Sequence, residues 1–332
     1  MHPAAGKPRR SVELERKWKE KGWLFMALFY ILRDIIVPVF ILMTLGFVLQ
    51  RKFTMDLGTL AKLNIYFFVP GFIFVTLYES DVSPALFGAV TGFFFLFVFL
   101  LFFVSAFTAR LLGLETAKKT TFTNSALFFN SGNYGVPVND LVFRGDPYAM
   151  SIQVVVLTLQ NMFLFSYGIL TMRAAGEGRL RALAGYLKMP VLYAMLLGIG
   201  MNLLELPVAH YVWVPVNYVA DGMIAIALLT LGAQVARISW STGLGTIYAS
   251  LAVRLVVGPV LALGLILLFR LDGTTAQALL IASAMPTSVN SAVIAQEYNN
   301  HPDFAAKIVL FSTLCSAFTV TVVIYAARVL FG

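Results

Sequence analysis

Long apolar runs separated by short polar loops fill most of this 332-residue chain. About ten of them approach the roughly 20 residues needed to cross roughly 30 Å of hydrocarbon. They cover 35–49, 60–78, 86–112, 120–143, 148–172, 190–204, 212–236, 244–269, 274–296 and 305–331. Each reads as a helix, because hydrocarbon offers the backbone no water and a single spanning segment must satisfy its own N–H and C=O groups. The pattern predicts an all-α membrane protein. Its longest polar interruption, 174–188, holds Glu177, Arg179 and Arg181 and divides the runs into two sets of five. Five is odd, so the second set enters from the opposite side, and two similar sets are then inverted repeats. The expected organisation is a basic tail over 1–29, a first five-helix repeat over 30–173, a short cytoplasmic linker over 174–188 and a second repeat over 189–332.

Two polar stretches interrupt this pattern at matching places, the fourth run of each set. One is Phe129-Asn130-Ser131-Gly132-Asn133-Tyr134-Gly135-Val136-Pro137, the other Met285-Pro286-Thr287-Ser288-Val289-Asn290-Ser291. Proline lacks an N–H and clashes with the preceding turn, and glycine accepts angles that other residues resist, so both helices should break there. Broken backbone at membrane depth is tolerated where it lines a protein cavity, and a matched pair of breaks points to a transporter's binding site. A half-helix starting near Pro137 exposes orphan N–H groups and a partial positive charge, which suits an anion. Asn130 and Asn133 add amide donors, and Pro286, Thr287, Ser288, Asn290 and Ser291 supply the counterpart from the other repeat. Prolines 38, 70, 190, 215 and 259 read as plain kinks.

Composition agrees: 59% of residues are hydrophobic and only 12% charged, against about a quarter charged in a soluble domain. The net charge of +8 sits largely in the first thirty residues and in loops, which fits an anionic lipid surface and not nucleic acid. The lone Cys315 allows no internal disulfide, and His2, His210 and His301 are too scattered for a metal site. Nothing in the chain resembles a P-loop, a nucleophile elbow or a dinucleotide fingerprint, so no cofactor and no enzymatic activity are expected.

Loop charge sets the expected orientation. Arg51, Lys52, Arg110, Lys118, Lys119, Arg179, Arg181, Lys188, Arg237 and Lys307 fall in one family of loops, which should be cytoplasmic, leaving both termini outside a cell membrane. The basic tail, with Lys7, Arg9, Arg10 and Lys17, argues the other way but counts once against several loops; with Trp18 and Trp23 it suits an interfacial surface helix. Two charges lie within apolar runs, where charge is costly and points to function. Asp221 is either a proton- or sodium-coupling carboxylate or a helix-end residue. Arg254 either pairs with Asp221 or a substrate, or snorkels. Gln160 and Asn161, adjacent in the fifth run, should face protein. Gly88 and Gly92 have the spacing of close helix packing, and the phenylalanines from Phe93 to Phe103 read as lipid-facing bulk.

At Asn130–Pro137, at Gln160, at Ala252–Pro259 and from Ala284 to Asp303 the chain resembles the auxin efflux carrier family of plant PIN-type and prokaryotic carriers. The resemblance implies ten helices in two inverted repeats, with the fourth and ninth crossing at Pro137 and Pro286 and a substrate site at that crossing. It also implies that Asn130 meets the substrate carboxylate, that Gln160 lines the site, and that both termini are outside. Gly132-Asn133-Tyr134 and Thr287–Ser291 are more polar than the plant sequences at these places, and the long central loop of the plant proteins is missing.

The expectation is a secondary carrier of small organic anions, carboxylates above all, working by alternating access. The alternatives are a sodium- or proton-coupled symporter on the same architecture and a ligand sensor that does not transport. The expected partners are the anion and the lipid bilayer, with a homodimer left open.

Overall fold

A computed structural model describes residues 24–80, 83–172, 190–238 and 245–332. Among these every regular element is helical and no strand forms. The elements are α1 (Leu24–Phe53), α2 (Leu57–Tyr78), α3 (Pro84–Leu111), α4 (Thr116–Leu127), α5 (Val136–Phe143) and α6 (Pro147–Met172). They continue with α7 (Pro190–Leu203), α8 (His210–Val235), α9 (Gly245–Leu268), α10 (Gly273–Ser283), α11 (Val289–Glu297) and α12 (Pro302–Phe331). Seven of these, α1, α2, α3, α6, α8, α9 and α12, are long and apolar enough to cross a membrane. The runs 120–143 and 274–296 each divide in two, as α4 with α5 and α10 with α11. The expected surface helix in residues 1–23 and the linker 174–188 lie outside the described residues.

The first helix starts earlier than its apolar run suggests. Residues 24–29 are themselves apolar, and Arg33 neutralises the adjacent Asp34 through Nε at 2.6 Å from Oδ1, so the charged pair does not end the helix. Proline is accommodated by a repeated local device. Five-residue π turns at Leu32–Ile36, Asn64–Phe68, Ser131–Gly135 and Val253–Val257 each end two residues before a proline: Pro38, Pro70, Pro137 and Pro259. A widened turn removes the clash of the ring with the carbonyl four residues back. Pro215 sits inside α8 without one, and Pro190 is the first described residue of α7.

The helices pack in two groups. α1, α2, α7 and α8 form one, and α3, α4, α6, α9, α10 and α12 the other. The first group is held by glycine contacts. A Cβ on Gly46 would stand 2.1 Å from the Leu229 carbonyl oxygen, and one on Gly232 would stand 1.8 Å from that of Met43, so α1 and α8 touch backbone to backbone. The spacing of Gly88 and Gly92 does not serve this purpose, since a Cβ there meets nothing within 4 Å. Close approach is decided by what faces a glycine, which spacing alone does not reveal. The phenylalanine run is likewise split by helical phase: Phe95, Phe99 and Phe103 are exposed, but Phe93, Phe94 and Phe97 are buried against the second group's core.

Candidate functional site

α4 ends at Leu127, where Phe128 turns extended (φ −93°, ψ 96°) ahead of the glycines and Pro137. α10 ends at Ser283, with Pro286 following, and α11 is restarted by Ser288, whose hydroxyl oxygen accepts from the Asn290 N–H. The two extended stretches meet. Phe129 and Thr287 form an antiparallel bridge; the Asn130 N–H donates to the Pro286 carbonyl at 2.8 Å, and the Ser288 N–H donates to the Phe128 carbonyl at 2.7 Å. Each break therefore satisfies backbone groups that the other leaves loose.

The carbonyls at the end of α4, which a helix cannot satisfy internally, are all taken. That of Asn124 accepts from the Phe128 N–H, that of Ser125 from the Thr287 hydroxyl at 2.9 Å, that of Ala126 from Arg254 at 3.0 Å and that of Leu127 from Gln160 at 3.3 Å. Arg254 also donates to the Ser283 carbonyl at the end of α10. It is fully buried and neither pairs with Asp221 nor snorkels.

A cavity of about 40 Å³ lies beside this crossing, between the two helix groups. The crossover contributes Asn130, Asn133, Ser288 and Asn290, α6 contributes Gln160 and Asn161, and the opposite wall carries Asn64 of α2 with Thr230 and Gln234 of α8. Among the described residues no charged side chain lines it. Several lining groups are buried with no protein partner: Asn130 Nδ2, Gln160 Oε1, Thr230 Oγ1, Gln234 Oε1 and Asn64 Oδ1. Buried polar groups normally find partners, so this concentration makes the cavity the candidate binding site. One hydrogen bond already spans the cavity, from Asn64 Nδ2 to Asn133 Oδ1 at 2.8 Å.

A larger cavity of about 530 Å³ shares Ala61, Gln234 and Val289 with the first and runs to Arg237, Gln296 and Asp303. These lie at one end of the molecule, where α8 and α11 finish and α12 begins. At the scale of one water, about 30 Å³, the inner cavity is small. Together with its vestibule it is large enough for an organic solute.

The residues expected from sequence divide by position. Asn130, Asn133, Gln160 and Asn290 line the cavity. Gly135, Pro137, Pro286 and Thr287 stand behind it and shape the crossing. A Cβ on Gly135 would lie 2.6 Å from Gln153 Nε2, which donates to the Ser131 carbonyl, so only glycine lets that brace approach. Pro286 supplies its carbonyl to Asn130, and Thr287, with none of its surface exposed, is bonded to Ser125 and to the Ser312 hydroxyl. Asp221 is not at the site. Its exposed face of α8 is about half a turn round from Thr230. Ser288, also expected from the second break, lines the cavity too. Asn64 and Thr230 lie outside the residues the sequence points to, although a lone asparagine in an apolar run such as Asn64 carries a usable signal.

Comparison with known proteins agrees in kind. A family model described as membrane transport protein matches residues 32–182 and 180–324. The chain is 25% identical over 299 residues to an uncharacterized transporter of Methanothermobacter thermautotrophicus, covering 85% of this chain and 94% of that one. It is 28% identical over 142 residues to auxin efflux carrier component 6 of Arabidopsis thaliana, and 29% identical over 136 residues to component 8. These matches cover 41% and 38% of this chain but only 25% and 36% of the plant proteins. The chain is thus a multi-pass membrane protein that belongs to the membrane transport protein family to which the auxin efflux carriers are related.

Proposed function

We propose that this protein is a secondary carrier of small organic anions, principally carboxylates, which it binds at the crossing of its two broken helices. The observation that carries this reading is the unpaired, buried Asn130 side-chain amide, 5% exposed, in a cavity with no carboxylate among its described lining residues and bordered by the π turn that leads into α5 and by the amino end of α11. Those ends bring partial positive charge and the asparagines bring donors, which together favour a carboxylate without a cationic side chain. The amide-rich wall is more polar than an indole ring requires, which favours a small aliphatic acid over auxin.

In this reading the chain crosses the membrane ten times, as two inverted sets of five, with the crossing near mid-membrane. α1, α2, α7 and α8 form the fixed group, and the group containing the crossing moves against it. Their separate packing and the position of the cavity between them support that division. The vestibule opens at the end bearing Arg51, Lys52, Lys118, Lys119 and Arg237, the cytoplasmic end by the positive-inside rule, so the conformation is inward-facing. Both termini then lie outside the cell membrane. Coupling to protons or sodium through Asp221 gains no support from its exposed position away from the cavity.

The test is carrier-mediated flux. Purified protein in liposomes should take up a radiolabelled short carboxylate, chosen by thermal-shift screening, with saturation. Asn130→Ala should abolish uptake while remaining monodisperse. Undiminished uptake by that variant removes the assigned site, and saturable binding without flux revives a sensor.

A further inference from the structure

The four half-helices α4, α5, α10 and α11 bring two kinds of end to the crossing. α5 and α11 present amino ends, while α4 and α10 present carboxyl ends, each carrying a partial negative charge of about half a unit. With all four uncompensated, the charges would largely cancel at the crossing, and an anion there would gain little. Arg254 removes this symmetry. It reaches in from the π turn of α9, entirely buried, and donates through Nη1 to the Ala126 carbonyl of α4 and through Nη2 to the Ser283 carbonyl of α10. Its guanidinium lies 5.0 Å from the ring centre of Phe129 and 5.7 Å from that of Phe97. Gly258 makes room for it, since a Cβ there would stand 3.1 Å from Nη2. Among the described residues no carboxylate forms an ion pair with it.

A fully buried cation without a carboxylate is costly unless hydrogen bonds and dipoles compensate it. Here the compensation comes from the carboxyl ends of two helices that belong to different halves of the chain. Phe129 lies against Arg254 on one side and lines the cavity on the other, so the cation and the cavity are separated by the crossing strands.

We propose that Arg254 is the positioning cation of the crossing: it clips the carboxyl ends of α4 and α10 into one body and offsets their negative charge, leaving the amino ends as the dominant pole at the cavity. A planar fork suits this task, because two donors diverge toward two carbonyls; an ammonium offers a point charge. The clip stands on the geometry alone, whereas its consequence for solute rests on the anion reading above.

Two measurements, neither requiring a known substrate, test the two halves. In hydrogen exchange on the whole protein in nanodiscs, Arg254→Gln should speed exchange of the Asn130 and Ser288 amides by about tenfold or more. α1, α2, α7 and α8 should stay unchanged, and Arg254→Lys should fall between. Unchanged exchange, or acceleration spread evenly over the molecule, overturns the clip. For the field, Asn290→Cys in a Cys315→Ser background provides a thiol on the cavity wall, titrated by the pH dependence of its reaction with methyl methanethiosulfonate. Adding Arg254→Gln should raise the thiol pKa by roughly half a unit or more, and Arg254→Lys, which keeps the charge, should restore it. Equal thiol pKa values with arginine and glutamine overturn the electrostatic role even where the clip holds. If the glutamine variant fails to fold, Phe97→Leu, which removes one aromatic face, takes its place: local acceleration at the same amides supports the clip, and no change in either Phe97→Leu or Arg254→Lys rejects it. Loss of uptake in Asn130→Ala with no thiol shift on removing Arg254 would separate failure of this inference from failure of the anion site.

Discussion

The two breaks are alike in position and different in use. The first, around Asn130, gives its side chains to the cavity: Asn130, Ser131, Gly132 and Asn133 all line it, and a π turn carries the chain into α5. The second, around Pro286, turns its central residues inward, with Thr287 bonded to the backbone of α4 and to Ser312 of α12, and only Ser288, Val289 and Asn290 reaching the cavity. On the proposed reading the first break recognises solute, while the second anchors the crossing. The difference follows from the residues: amides and glycines leave donors free and backbone bare, whereas a buried hydroxyl beside a carbonyl is committed to it.

That contrast can be broken by experiment. The largest effect is expected from Asn130→Asp, which removes the free amide and adds a like charge; carboxylate uptake in liposomes should fall by about 100-fold or more, with the protein still folded. Thr287→Val keeps the shape but leaves the Ser125 carbonyl without its donor. It should lower stability by about 1–3 kcal/mol in thermal unfolding while changing solute affinity little. An affinity loss matching that of Asn130→Asp would show that both breaks recognise. Asn290→Ala, at the edge of the second break, should weaken binding by about threefold to tenfold, the cost of one hydrogen bond. Smallest of all, Asp221→Asn should change uptake, and its dependence on sodium or pH, by less than about twofold; a lost ion dependence would return that carboxylate to the mechanism.

Much of this contrast was legible in the sequence, and the remainder was hidden for definable reasons. Apolar runs revealed the helices because hydrocarbon imposes length and composition on any segment that crosses it. Gly132, Gly135, Pro137 and Pro286 revealed the breaks because their backbone chemistry is local. The opposite wall was not legible. Asn64, Thr230 and Gln234 are distant in sequence from the breaks and from one another, and only packing brings them to one cavity. Gly46 and Gly232 hold α1 against α8, whereas the regularly spaced Gly88 and Gly92 touch nothing, because spacing describes one helix and contact requires two. Phe94 and Phe97 are buried for the same kind of reason, since which face of α3 meets protein is set by its neighbours.

Sequence alone determined that this chain is a helical membrane protein interrupted at two matched points, because those properties depend on residues a few positions apart. Tertiary structure alone decided that the interruptions pair backbone to backbone. It also decided that Arg254 turns from a costly charge in an apolar run into the common cap of two helix ends, and that Asp221 stays on an outer face. A charge's role is fixed by the dipoles and cavities around it, and in this chain those are assembled from segments more than a hundred residues apart.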